Sequence, residues 1–78
     1  MSRFYKPLTC RDVKKILKNL GFTFRNQVGS HENWVRDEPP PFRKVTVDCP
    51  KQPFSPMLTE SMARQAGVSK KEFYQYLE

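Results

Sequence analysis

The chain has 78 residues, with fourteen Lys and Arg against eight Asp and Glu, a formal charge of +6 and a pI near 9.6. A chain this short buries only about 60% of the surface it exposes when unfolded. That leaves room for one domain over residues 1–78, built from one sheet and two or three short helices, and none for a separate cofactor domain. The basic balance points to a polyanionic partner, of which nucleic acid is the commonest, and no apolar run approaches the ~20 residues of a membrane span.

The first element opens at Thr9. Thr9 and Asp12 stand at capping-box spacing, with Asp in place of Glu or Gln. Val13, Ile16, Leu17 and Leu20 then follow at i, i+3, i+4 and i+7, one face of a helix. Gly21 supplies the C-terminal stop, so the spacing predicts a helix from about Cys10 to Leu20. In "FTFRNQ", Phe22 and Phe24 alternate with polar residues, which predicts a half-buried strand. Val28-Gly29-Ser30 is a turn, and "HENWVR" returns as an antiparallel strand because the connection is too short for a crossover. "DEPPPF" is a loop, since proline lacks the donor a sheet interior needs. "RKVTVD" is a third strand with Val45 and Val47 inward, and "CPKQPFSP" is again a loop. Ser55-Pro56 is an N-cap followed by Pro at the first helical position. Leu58, Met62, Ala63 and Ala66 give that helix an apolar face, and Gly67 ends it. Ser69 and Glu72 form a capping box for a short last helix with Phe73, Tyr76 and Leu77 on one side.

The predicted order is helix, three-stranded antiparallel meander, helix, short helix. This is an α+β fold with both main helices on one sheet face and the other face open to solvent or a partner. It is the topology of the double-stranded-RNA-binding domain; fold likeness alone assigns no function.

Chemistry concentrates at His31, the only histidine. An imidazole takes and gives protons near neutral pH, and RNA strand cleavage needs a base for the 2′-hydroxyl and an acid for the leaving oxygen. Gly29 allows close backbone approach, turn amides around Gly29 and Ser30 are placed to meet a phosphate, and Ser30 adds a hydroxyl. Strand parity sets His31, Asn33 and Val35 on one side and Glu32, Trp34 and Arg36 on the other. Either Trp34 packs under the helices and His31 faces outward, or the reverse; the first arrangement is favoured. A mechanism with two histidines is excluded, so the second proton comes from water, a lysine or the substrate. Arg11, Lys14, Lys15 and Lys18 line the polar side of the first helix, where they would follow a phosphate backbone. Arg25, Arg43 and Lys44 are the strand cations available to a strained phosphate.

Other signatures are missing. Cys10 and Cys49 are too sparse for a disulfide scaffold and have no CxxC spacing, which suits a reducing cytoplasm. With one His they make no tetrahedral zinc set, and Asp12, Asp37, Glu38 and Asp48 form no spaced metal cluster. No metal and no cofactor are therefore expected. "MSRFYKPLTC" lacks the apolar core of a secretory leader.

Four segments in order, "KPLTCRDVKKILKNLGF", "RNQVGSHENW", "RKVTV" and "ARQAGVSKKEF", resemble the HicA family of toxins from about Lys6 to Leu77. The resemblance implies a double-stranded-RNA-binding-like fold and an mRNA endoribonuclease that acts without the ribosome. It further implies a HicB-type antitoxin that covers the site and through which the toxin mainly oligomerises. The family's active histidine falls on His31, with Gly29 and Ser30 matching beside it. The chain departs from the family after the Val-Thr-Val strand, where Pro and commonly a further His occur; here the run is Val47-Asp48-Cys49-Pro50. The loop "DEPPPF" is also longer than the usual turn. Two alternatives to a nuclease share the fold: a non-catalytic RNA-binding module, indifferent to His31, and a protein-interaction domain with an acidic partner.

Overall fold

A computed structural model describes residues 6–77, so residues 1–5 of the segment read for a leader, and Glu78, lie outside it. The elements follow the predicted order: α1 (Cys10–Asn19), β1 (Thr23–Val28), β2 (His31–Arg36), β3 (Arg43–Asp48), a 3-10 turn (Cys49–Lys51), α2 (Pro56–Ala66) and α3 (Lys70–Gln75). The three strands form one antiparallel sheet in the order β1-β2-β3.

Local chemistry accounts for the helix ends. Thr9 Oγ1 accepts from the Asp12 N–H at 3.2 Å while Asp12 Oδ2 accepts from the Thr9 N–H at 3.1 Å, so Asp serves in the box as Glu would. Ser55 caps α2 and Ser69 caps α3. The Ser69–Glu72 box is only half made: Ser69 Oγ accepts from the Glu72 N–H, and no bond returns from the Glu72 carboxylate among the described hydrogen bonds. Gly67 ends α2 with φ +85°, a left-handed conformation that favours glycine, and the flexible end of the Arg43 side chain lies over it.

One core forms between the helices and the inner sheet face. Val13, Ile16 and Leu17 of α1 are wholly buried, as are Val45 and Val47 of β3 and Phe73 of α3. Burial of each such side chain contributes roughly 1.5–3 kcal/mol. Leu8 and Phe54 close the bottom of the core through an antiparallel bridge, with the Phe54 N–H donating to the Leu8 carbonyl at 2.8 Å. Glu32 points into the same layer, and its carboxylate is satisfied by Lys14 Nζ at 3.1 Å and the Trp34 indole N–H at 3.2 Å.

Two expectations are corrected. β1 is exposed along its whole length; Phe22 is buried but precedes the strand, and Phe24 stays half exposed with its edge against Trp34. As an outer strand with a register shift between Phe24 and Asn26, β1 gains no helix cover. The sparse cysteines, which the sequence assigns to a reducing setting rather than to a disulfide framework, are joined: a Cys10–Cys49 disulfide links the first residue of α1 to the turn after β3, with Cα atoms 5.2 Å apart. Residues 39 apart in sequence meet because α1 lies along β3, a proximity that no local pattern encodes.

Thr59 is fully buried in α2, and its Oγ1 has no hydrogen-bond partner among the described residues. A buried hydroxyl without a partner costs about 1–3 kcal/mol. Thr59→Val is therefore expected to raise unfolding stability by about 1 kcal/mol, measured as a higher urea midpoint at unchanged slope. A lower midpoint would show that Oγ1 is satisfied in solution.

Candidate active site

A two-residue turn presents His31. β1 ends at Val28, β2 begins at His31, and these two residues pair directly. Gly29 alone of the turn residues has positive φ, +61°, the pattern of a hairpin turn with glycine in its first central position. The space beside Gly29 is open, so the glycine serves the turn's conformation.

Trp34 decides the strand parity, because it is buried under the helices. His31 therefore projects from the opposite, open face, with its side chain 56% exposed. The β2–β3 register places Asp48 directly across from it. His31 Nε2 lies 3.2 Å from Asp48 Oδ2, and the Ser30 hydroxyl donates to Asp48 Oδ1 at 2.9 Å. Both carboxylate oxygens are thus engaged, one by the turn and one by the imidazole. A polar row crosses the same face: Thr46 Oγ1 donates to Asn33 Oδ1 at 3.1 Å, and Asn33 Nδ2 donates to Asn26 Oδ1 at 2.8 Å.

The cations divide unequally. Arg11, Lys14, Lys15 and Lys18 line one shallow depression on α1, as the helical spacing predicts, although Lys14 is held by Glu32. Lys44 stands opposite Val35 on the open face and is exposed. Arg25 is exposed on β1 at the register shift. Arg43 departs from its expected place: it shares parity with Val45 and Val47, is partly buried, and lies over Gly67. The place of Asp48 beside His31 and Ser30 is not readable from sequence, because it depends on cross-strand register.

Among the described residues, one group of metal-ligand type comes together, Cys10, Glu32 and Cys49, with donor atoms within 4.8 Å of one another. Its two sulfurs are bonded to each other and offer no thiolate.

The fold and site define a small basic α+β domain of the double-stranded-RNA-binding type, with an imidazole on the uncovered sheet face. Residues 10–68 match the family model described as HicA toxin of bacterial toxin-antitoxin, and the chain belongs to that family. It is a toxin of a toxin–antitoxin system, which implies an antitoxin partner. No curated protein and no solved structure matches the chain. No helix among the described residues is long and apolar enough to cross a membrane.

Proposed function

We propose that this toxin is a metal-independent endoribonuclease that cleaves mRNA, with His31 as its proton-transfer group. The observation that carries the reading is the solitary imidazole, more than half exposed on the open sheet face of a +6 toxin domain. Single-stranded RNA lies against that face and the basic side of α1. His31 takes the 2′-hydroxyl proton, the 2′-oxygen attacks phosphorus, and water supplies the proton of the leaving oxygen. Lys44 and Arg25 are the strand cations exposed to the phosphate, whereas Arg43 is partly buried over Gly67. Gly29 and Ser30 shape the turn that presents the ring. A HicB-type antitoxin covers this face, and higher assembly runs through that complex.

The test is incubation of the purified chain with single-stranded mRNA in the presence of a chelator. Cleavage under those conditions supports the reading. RNA that is bound in a salt-sensitive manner but left intact is the signature of a non-catalytic RNA-binding module.

Lys15 and Lys18 are exposed and enter no ion pair among the described residues. Replacing both with Ala is expected to weaken RNA binding uniformly across sequences. The slope of log affinity against log salt should shrink by about 0.7 for each phosphate no longer neutralised. An unchanged slope, measured by fluorescence anisotropy over a salt series, would place the RNA elsewhere.

A further inference from the structure

We infer that Asp48 is a positioning residue for His31: it holds the ring through Nε2 and leaves Nδ1 as the nitrogen that exchanges protons with RNA. The inference rests on His31 being the proton-transfer group, and it adds which atom acts and what aims it. Asp48 Oδ2 lies 3.2 Å from His31 Nε2, and because a carboxylate only accepts, this placement favours the neutral-ring tautomer with its proton on Nε2. The lone pair is then on Nδ1.

Asp48 is well placed to impose this. It faces His31 directly across the β2–β3 ladder. Its side chain is 21% exposed against 56% for the imidazole, so the anchor is more enclosed than the group it aims. Its second oxygen is fixed by the Ser30 hydroxyl at 2.9 Å, and its chain neighbour Cys49 is tied to α1. Lys51, which lines the same groove as Asp48, makes no ion pair among the described residues and leaves the carboxylate to the ring. In the reaction the 2′-hydroxyl proton moves to Nδ1, the O2′–P bond forms and the P–O5′ bond breaks. Water protonates the departing oxygen, and the imidazolium, held against Asp48, releases its Nδ1 proton to solvent.

The chain's single histidine makes the test direct. Long-range proton–nitrogen spectra of the wild-type ring, in its neutral form, should show one tautomer protonated at Nε2. Asp48→Ala should show a mixture of tautomers, with kcat for RNA cleavage about 10–100-fold lower and KM within about twofold. Asp48→Glu, which restores a carboxylate, should recover part of kcat. A wild-type ring protonated at Nδ1, or a tautomer balance unmoved in folded Asp48→Ala, overturns the inference. So does wild-type kcat in Asp48→Ala. Absence of cleavage by the wild type would refute the nuclease reading, while the spectra would still decide whether Asp48 orients the ring.

Discussion

His31→Ala is expected to lower RNA cleavage by about 10²–10⁴-fold, the range a positioned general base contributes, while leaving the protein folded. The two halves of this prediction have separate physical grounds. The activity loss follows because no second imidazole stands by to take over. The retained fold follows from exposure: the side chain is 56% in solvent, and among the described residues its one close charged neighbour is Asp48. An exposed pair of this kind contributes about 0–1 kcal/mol. The checks are the single-turnover cleavage rate, with circular dichroism and a urea midpoint on the same sample. A folded variant cutting at the wild-type rate would remove His31 from the chemistry. Because the mutation deletes the ring without disturbing the core, the variant should also still bind its antitoxin.

The second large effect concerns the Cys10–Cys49 disulfide. Closing a loop between residues 39 apart restricts the unfolded chain. In the chain-entropy account this stabilises the fold by about 4 kcal/mol, a large share of the roughly 5–15 kcal/mol typical of a whole domain. Cys10→Ser with Cys49→Ser, or reduction of the wild type, is expected to lower unfolding stability by that order. The effect should exceed that of Thr59→Val and carry the opposite sign. Urea unfolding with and without reductant measures it, and alkylation followed by mass determination reports how much of the chain carries the bond. An unfolding midpoint indifferent to reductant would show that the disulfide contributes nothing. Asp48 adjoins Cys49, so the same titration followed by RNA cleavage also shows how firmly the turn holds the site.

What is legible in the sequence is what local pattern controls. The periodic run Val13, Ile16, Leu17, Leu20 specifies α1, and Thr9, Ser55 and Ser69 mark the helix starts where they occur. The Gly29–Ser30 turn sets the β1–β2 pairing and parity puts His31 and Trp34 on opposite faces, but which of the two faces outward is decided only by the burial of Trp34 in the fold. Features that depend on how distant segments meet are not legible. Asp48 reaches His31 only through the β2–β3 register, across a loop whose length does not declare it. The disulfide depends on where α1 rests against β3. Arg43 is an instructive intermediate: the alternation that places Val45 and Val47 inward also places Arg43 inward, whereas its charge alone suggests the open face. Phe24 departs from its expected burial because alternation reports what a strand is able to bury, and on this outer strand the described residues leave it half exposed.

The most direct test of the account is the chemical identity of the RNA ends made by the wild-type protein in chelator. Attack by the neighbouring 2′-hydroxyl, deprotonated at His31, predicts 2′,3′-cyclic phosphate on one fragment and a 5′-hydroxyl on the other. It also predicts no cut where the 2′-hydroxyl is replaced by hydrogen. Fragments ending in 3′-hydroxyl and 5′-phosphate, or cleavage that persists at a 2′-deoxy position, would contradict it.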